Sequence, residues 1–486
     1  MRPTNYRSLM LATVFSAAFV GASSVFAEEA DPTSNGSFFC APALPDIVQA
    51  NSSSAKSSLD LNQLAIEAVS DSSDDSLTAV NQLRDAGPAG LDALFAAYQN
   101  DINRYRKAKT ARSVDPHWQR ISEALDAVGG QYDCSSSHLY WYTDLDTAKT
   151  AAEKTGKPIL SLRLLGKLTD QFSCANSRYF RSTLYTNQAI SEALRTRYIL
   201  HWQTVRPVPQ VTIDFGDGRK LERTLTGNSI HYVLDSQGRV VDALPGLYGP
   251  QAFLEGLQTA STTIDQMKSL TNEAREVFLR KYHADQSKLI QTSWQKDLAE
   301  LGVVASDGVQ SNKEVRAKMQ TPNAATAGRM AITKYSAERP LLVPVNDQET
   351  LAAKTDDAMW TRIAQLHRSD ARLDEASMAY IESQNPTAGR AMPLAQSKAV
   401  AETPILRLVR TLQNTIAIDS VRNEYTFHRQ IHDWFANGKV TPEVDVNDLN
   451  EMVYAELFLT PSSDPWLGLL PRDAYTALEN NGLSKN

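Results

Sequence analysis

The sequence predicts an α/β central domain, a mixed sheet between helices, flanked by mainly α-helical N- and C-terminal regions. Three observations carry this. Between residues 138 and 260, short apolar runs alternate with amphipathic runs, the first of which stops at Gly156. Two turn signals, Asp217-Gly218 and Gly238, each separate a pair of strand-like runs. On both sides of that segment the apolar period is helical. A length of 486 residues sets the scale at about three domains. Hydrophobic residues at 42% and charged residues at 22% are ordinary globular usage, which excludes global disorder. A net charge of -7 excludes a chain-wide basic footprint for nucleic acid. Three cysteines are too few for a disulfide framework.

Residues 1–27 read as a secretory signal peptide. Arg2 and Arg7 form the positive start, Leu9 to Gly21 the apolar run, and Val25-Phe26-Ala27 a cleavage site. The apolar run has about 13 residues, short of the ~20 a membrane span needs. No later stretch is long and apolar enough to span, and the expectation is an exported chain, periplasmic or secreted. Residues 28–57 are a Ser/Pro-rich tether carrying Cys40.

Residues 58–135 read as helical. Leu77, Val80 and Leu83 recur at helical spacing, Gly87 stops that helix, and Pro88 starts one holding Leu91, Leu94 and Phe95. The pair is reminiscent of one HEAT-type hairpin. The central domain spans 136–262. Its order is helix 144–156, strand 157–165, helices 177–185 and 187–198, strand 199–205, two hairpins, and helix 249–260. Residues 263–486 are mostly helical, with irregular stretches at 304–328 and 385–396. Helices are expected over 421–438, stopped by Gly438, and over 447–461, stopped by Pro461. Trp466, in a proline-flanked loop, is expected to plug the core beneath a turn, the alternative being an exposed recognition loop.

KPIL (157–160), a cysteine at a helix start, TNQAISEALRTRYILHW (186–202) and GNSIHYVLDSQGRVVDALPG (227–246) resemble the thioredoxin-like superfamily. More of the chain, including LYWYTDLDTA, SCANSRYF and VRNEYTFHRQIH, resembles exported bacterial thioredoxin-like proteins of no established function. The resemblance implies a thioredoxin-like central domain with Cys174 and Ser177 at the two positions of a C-x-x-C motif. The resolving cysteine is thus replaced by Ser177. Ser229 stands where active members place a cis-proline.

A cysteine at a helix N-terminus meets the positive end of the macrodipole, which favours its thiolate; Arg178 and Arg181 in the next turn add to this. Such a thiolate can attack a disulfide, but no internal thiol resolves the product. The same Cys174 can instead be paired with Cys134 or Cys40, or be an inert structural thiol. On another helix, Glu424, His428 and His432 share a face at i, i+4 and i+8, a legitimate metal spacing. Glu456 or Asp433 could complete the set only if the fold brings it near; the alternative is two capped histidines beside the core residues Trp434 and Phe435.

There is no G-x-S-x-G elbow, Walker A loop or dinucleotide fingerprint. The reading is therefore a single-cysteine site for thiol–disulfide exchange or partner trapping. Its alternatives are a non-catalytic scaffold for protein–protein interaction and, further off, a metal-dependent enzyme. The expected partner is a protein or protein thiol, with no nucleic acid, no membrane span and no metal or other cofactor.

Overall fold

The computed structural model describes residues 60–106, 115–224, 227–303, 351, 355–384, 404–467 and 477–482. The expected signal peptide, the expected tether with Cys40, and the stretches 304–328 and 385–396 lie outside the described residues.

The N-terminal helices are α1 (Leu61–Glu67), α2 (Ser73–Asp85), α3 (Pro88–Ala97), α4 (Gln99–Arg106) and α5 (Pro116–Gly129). The expected hairpin is α2–α3. Gly87, at φ 70°, makes the turn that an L side chain resists, and Pro88 opens α3 with its φ already helical. A Cβ on Gly90 would run into the Leu83 carbonyl, so glycine permits the close crossing. Leu83, Leu91, Leu94, Ile121, Leu125 and Val128 form a core of their own, which also takes in Cys134.

The central domain follows as β1 (Trp141–Tyr142), α6 (Leu145–Thr155), β2 (Ile159–Leu165), α7 (Ala175–Tyr179), α8 (Gln188–Arg197), β3 (Ile199–Arg206), β4 (Gln210–Asp214), β5 (Lys220–Thr224), β6 (Ser229–Leu234), β7 (Val240–Pro245) and α9 (Pro250–Met267). The sheet order is β1-β3-β2-β6-β7. β1 and β2 run parallel to β3; β6 is antiparallel to β2, and β7 to β6. β2 lies at the centre with all seven residues buried, as suits a run, ILSLRLL, in which five of seven residues are Ile or Leu. Its one charge, Arg163, donates through its two terminal nitrogens to Gln203 and Asn447.

Two expectations change here. The Asp217-Gly218 hairpin forms a separate two-stranded sheet, because most β4 and β5 side chains are polar and give the main sheet no apolar face to cover. The helix expected to close at 260 continues to Met267, burying Ile264 and Met267, so a boundary after 262 falls inside it.

Beyond α9 come α10 (Asn272–Glu300), α11 (Asp357–Leu366), α12 (Glu375–Gln384), α13 (Pro404–Arg422), α14 (Arg429–Ala436) and α15 (Val446–Met452). A π-helical stretch, Asn423–His428, joins α13 to α14, and another, Val453–Leu457, extends α15. The helix expected over 421–438 is therefore the end of a much longer one. It stops near Gly438, whose φ is 73°. One continuous core runs from the sheet through these helices, with Trp294, Trp360, Tyr425, Trp434 and Phe435. Trp466 corrects its expectation: it is 43% exposed. The Pro461–Leu467 loop closes on its own backbone bonds, and Asp464 caps the Trp466 N–H, so the ring is not needed as a plug. Among the described residues no helix is long and apolar enough to cross a membrane.

Candidate functional site

Cys174 is the N-cap of α7, one loop beyond the end of β2. Its N–H donates to the Leu165 carbonyl at 3.2 Å. Its Sγ lies 3.5 Å from Ser177 Oγ, and the Ser177 hydroxyl donates to the Cys174 carbonyl at 2.9 Å. The helix start is where the sequence puts it, but Cys174 and Ser177 are both 0% exposed.

Arg178 lies close enough to feel a charge on Cys174, but neither arginine hydrogen-bonds the sulfur. Arg178 donates to the Ser173 carbonyl and to Thr224 Oγ1, at 2.8 and 2.6 Å. Arg181 donates to Ser173 Oγ at 2.9 Å and stacks over Tyr132. Both guanidiniums shape the loop before the helix, and neither donates to Sγ. The proposed pairing of Cys174 with Cys134 is also corrected: both are free, buried thiols. They belong to different cores, and Cys134 Sγ faces the Leu139 carbonyl at 3.5 Å. Cys40 lies outside the described residues. Ser229 opens β6 opposite Leu164, with its Oγ buried and unpartnered. No peptide bond among the described residues is cis.

Burial raises the hydroxyls of Tyr185 and Tyr454 well above their ordinary pKa, and a charge on Cys174 would push both further. Tyr185 is engaged with His231 Nε2 at 2.7 Å, and Tyr454 with the Asn228 carbonyl at 3.2 Å. Tyr454 belongs to the stretch after α15, so the C-terminal region reaches the backbone next to Ser229.

The second site lies at an edge of the sheet, on β7. Asp242, in the middle of the buried strand β7, meets the helix through the π-helical stretch and α14. His428 Nε2 is 3.0 Å from Asp242 Oδ1, and His432 Nε2 is 3.8 Å from the same oxygen. The three side chains are 4, 7 and 0% exposed in chain order. Each has an outer partner. The Tyr282 hydroxyl donates to Asp242 Oδ2. Glu424 Oε2 lies 2.8 Å from His428 Nδ1, and His283 Nδ1 lies 2.8 Å from His432 Nδ1. His283, on α10, is stacked on Phe435 with ring centroids 4.2 Å apart.

The electrostatics follow from this nesting. Burial pushes the His428 pKa down, but the Glu424 and Asp242 carboxylates overcome it and raise it to about 10. Burial likewise works against the Asp242 charge, yet His432 and His428 hold its carboxyl well below the usual range. Burial takes His283 down to about 4 and, with the neighbouring His428 charge, lowers His432 strongly.

The expected triad is thus corrected in one member. Glu424 does not face the point where Asp242, His428 and His432 converge; it holds the far nitrogen of His428. Asp433 is taken by Ser287, and Glu456 by Lys439. Asp242, His283 and Tyr282 escape a reading of local spacing, since Asp242 and His428 are 186 positions apart. A usable signal was present in VVDALP: one carboxylate inside an apolar strand must find a partner when the strand is buried. No family model, curated protein or solved structure matches this chain.

Proposed function

We propose that this chain is an exported thioredoxin-like protein whose α/β domain is a non-catalytic scaffold for protein–protein interaction. The thioredoxin-like reading is supported by the order of elements. Parallel strands joined through helices lead to an antiparallel hairpin, and the cysteine helix follows the central strand. That is the layout the sequence resemblance implies.

The observation that carries the scaffold over thiol–disulfide exchange is the complete burial of Cys174 beside Ser177. Exchange needs a thiolate within reach of a partner's disulfide. A buried anion needs compensating charges or donors. Here the donors of Arg178 and Arg181 go to the loop, the Tyr185 hydroxyl to His231 and the Tyr454 hydroxyl to the Asn228 carbonyl, which leaves Cys174 the nearby Arg178 charge but no hydrogen bond from any of these groups.

The test is native-state alkylation with iodoacetamide, followed by mass mapping. The scaffold reading expects Cys174 and Cys134 to react only after denaturant is added. Native labelling of Cys174 at the rate of a free thiol, lost in Cys174→Ser, would instead establish exchange chemistry.

A further inference from the structure

We infer that Asp242, His428 and His432 form a binding site for one divalent transition-metal ion of the zinc class, clamping the helix that carries the two histidines to the edge strand β7. This goes beyond the scaffold reading and does not depend on the state of Cys174.

The first argument is geometric. One ligand atom from each of the three residues lies within 4.8 Å of the other two. Bonds of about 2.0–2.1 Å in tetrahedral geometry place neighbouring donors about 3.3 Å apart. The separations of 3.0 and 3.8 Å from Asp242 Oδ1 to the two Nε2 atoms bracket that value.

The second argument is an unsatisfied atom. His432 Nε2 is wholly buried and has no hydrogen-bond partner. Its distance of 3.8 Å to Asp242 is too long for a hydrogen bond. A buried imidazole nitrogen facing a carboxylate across such a gap is completed by a cation between them.

The third argument is the outer ring of partners. A metal-bound histidine characteristically gives its other nitrogen to a carboxylate or another acceptor, which fixes the tautomer. His428 does so to Glu424, and His432 to His283. The free oxygen of Asp242 is held by Tyr282. All three groups therefore have their outer atoms fixed and their inner atoms turned to one point. Without the ion, a proton between His428 Nε2 and Asp242 Oδ1 occupies part of that point; coordination releases it to solvent, while the Nδ1 proton stays on His428 and is donated to Glu424. Two imidazoles and one carboxylate suit zinc and its neighbours better than calcium or magnesium, which take oxygen.

The experiment uses the full chain, expressed in medium supplemented with Zn2+ or Co2+ and purified without chelator or histidine tag. Elemental analysis should find one equivalent of the supplied ion. The cobalt form should show the visible bands of a nitrogen- and oxygen-ligated ion without thiolate charge transfer. Asp242→Asn and His432→Gln should lose the ion. Glu424→Gln should keep it but surrender it to a competing chelator about 10–100-fold more readily. Folding of each variant is checked by circular dichroism. Because these substitutions can unfold the chain, X-ray absorption of the wild-type cobalt protein gives an independent reading, expected to show two imidazoles. A wild-type chain without stoichiometric ion overturns the site. So does a cobalt shell lacking imidazole, or folded variants that retain cobalt as the wild type does. A thiolate band would move the ion to a cysteine and also overturn it, whereas native alkylation of Cys174 would sink only the scaffold reading.

Discussion

The Cys174 site and the Asp242 site are both buried against the same sheet, yet they are built in opposite ways. Around Cys174 the partners are local: Ser177 is three positions away, and Leu165, which takes its N–H, is nine. Around Asp242 the partners come from three separate elements, β7, α10 and the helix bearing the histidines, with separations of 40 to 186 positions. That site concentrates two carboxylates and three imidazoles, all buried except the half-buried Glu424. The lesson is that motif spacing locates a local site but not its accessibility. Burial leaves the helix-start cysteine without exposed surface and makes an ordinary-looking aspartate the centre of a charge cluster.

The comparison can be broken most directly at Asp242. Replacing it with Asn in metal-free protein leaves His428 facing a single carboxylate, and breaking a buried charged pair costs about 3–5 kcal/mol. Urea unfolding monitored by circular dichroism measures this. At the other site, Cys174→Ser puts a hydroxyl into an apolar core and should cost less, about 1–3 kcal/mol. If the serine variant proves the more destabilised, the contrast between the two sites is wrong.

His367 offers a sharper test, because it too sits between two carboxylates but is partly exposed. Its Nε2 is 2.7 Å from Asp297, and its Nδ1 is 3.3 Å from Asp370. Hydrogen bonds to Asp297 and Asp370 raise its pKa to about 9. A raised folded-state value means the stabilisation is full below the unfolded value of about 6.5 and is lost as pH climbs through about 9. Screened by solvent, it amounts to about 1–2 kcal/mol. Unfolding free energies of wild type and His367→Gln should therefore differ at pH 6 and converge above about pH 9. A gap that persists at high pH would show packing rather than charge. The smallest effect is expected at the surface: Trp466→Ala should shift stability by no more than about 0.5 kcal/mol in thermal unfolding, since its ring stands largely in solvent.

Much of this fold was legible in the sequence. The α2–α3 hairpin was readable from Gly87 and Pro88, because backbone conformation at those two residues is a local property. β2 and β3 were readable from apolar runs, and the β6–β7 turn from Gly238. Cys174 at a helix start was legible for the same reason. The central sheet's pairing order was less so, because register depends on which runs meet. The Pro461–Leu467 loop misled, since an aromatic residue between turns carries no local mark of burial or exposure.

What the sequence determined by itself is the set of elements: where helices begin and stop, which runs are strands, and that His428 and His432 share a face. These follow from φ preferences and side-chain period, which act over a few residues. What only the tertiary structure decided is the chemistry left to each polar group. It sealed Cys174, turned Arg178 and Arg181 to the loop, moved Glu424 behind His428 and brought Asp242 and His283 to His432. Desolvation and charge pairing depend on neighbours across the whole chain, so no spacing rule within one helix could have supplied them.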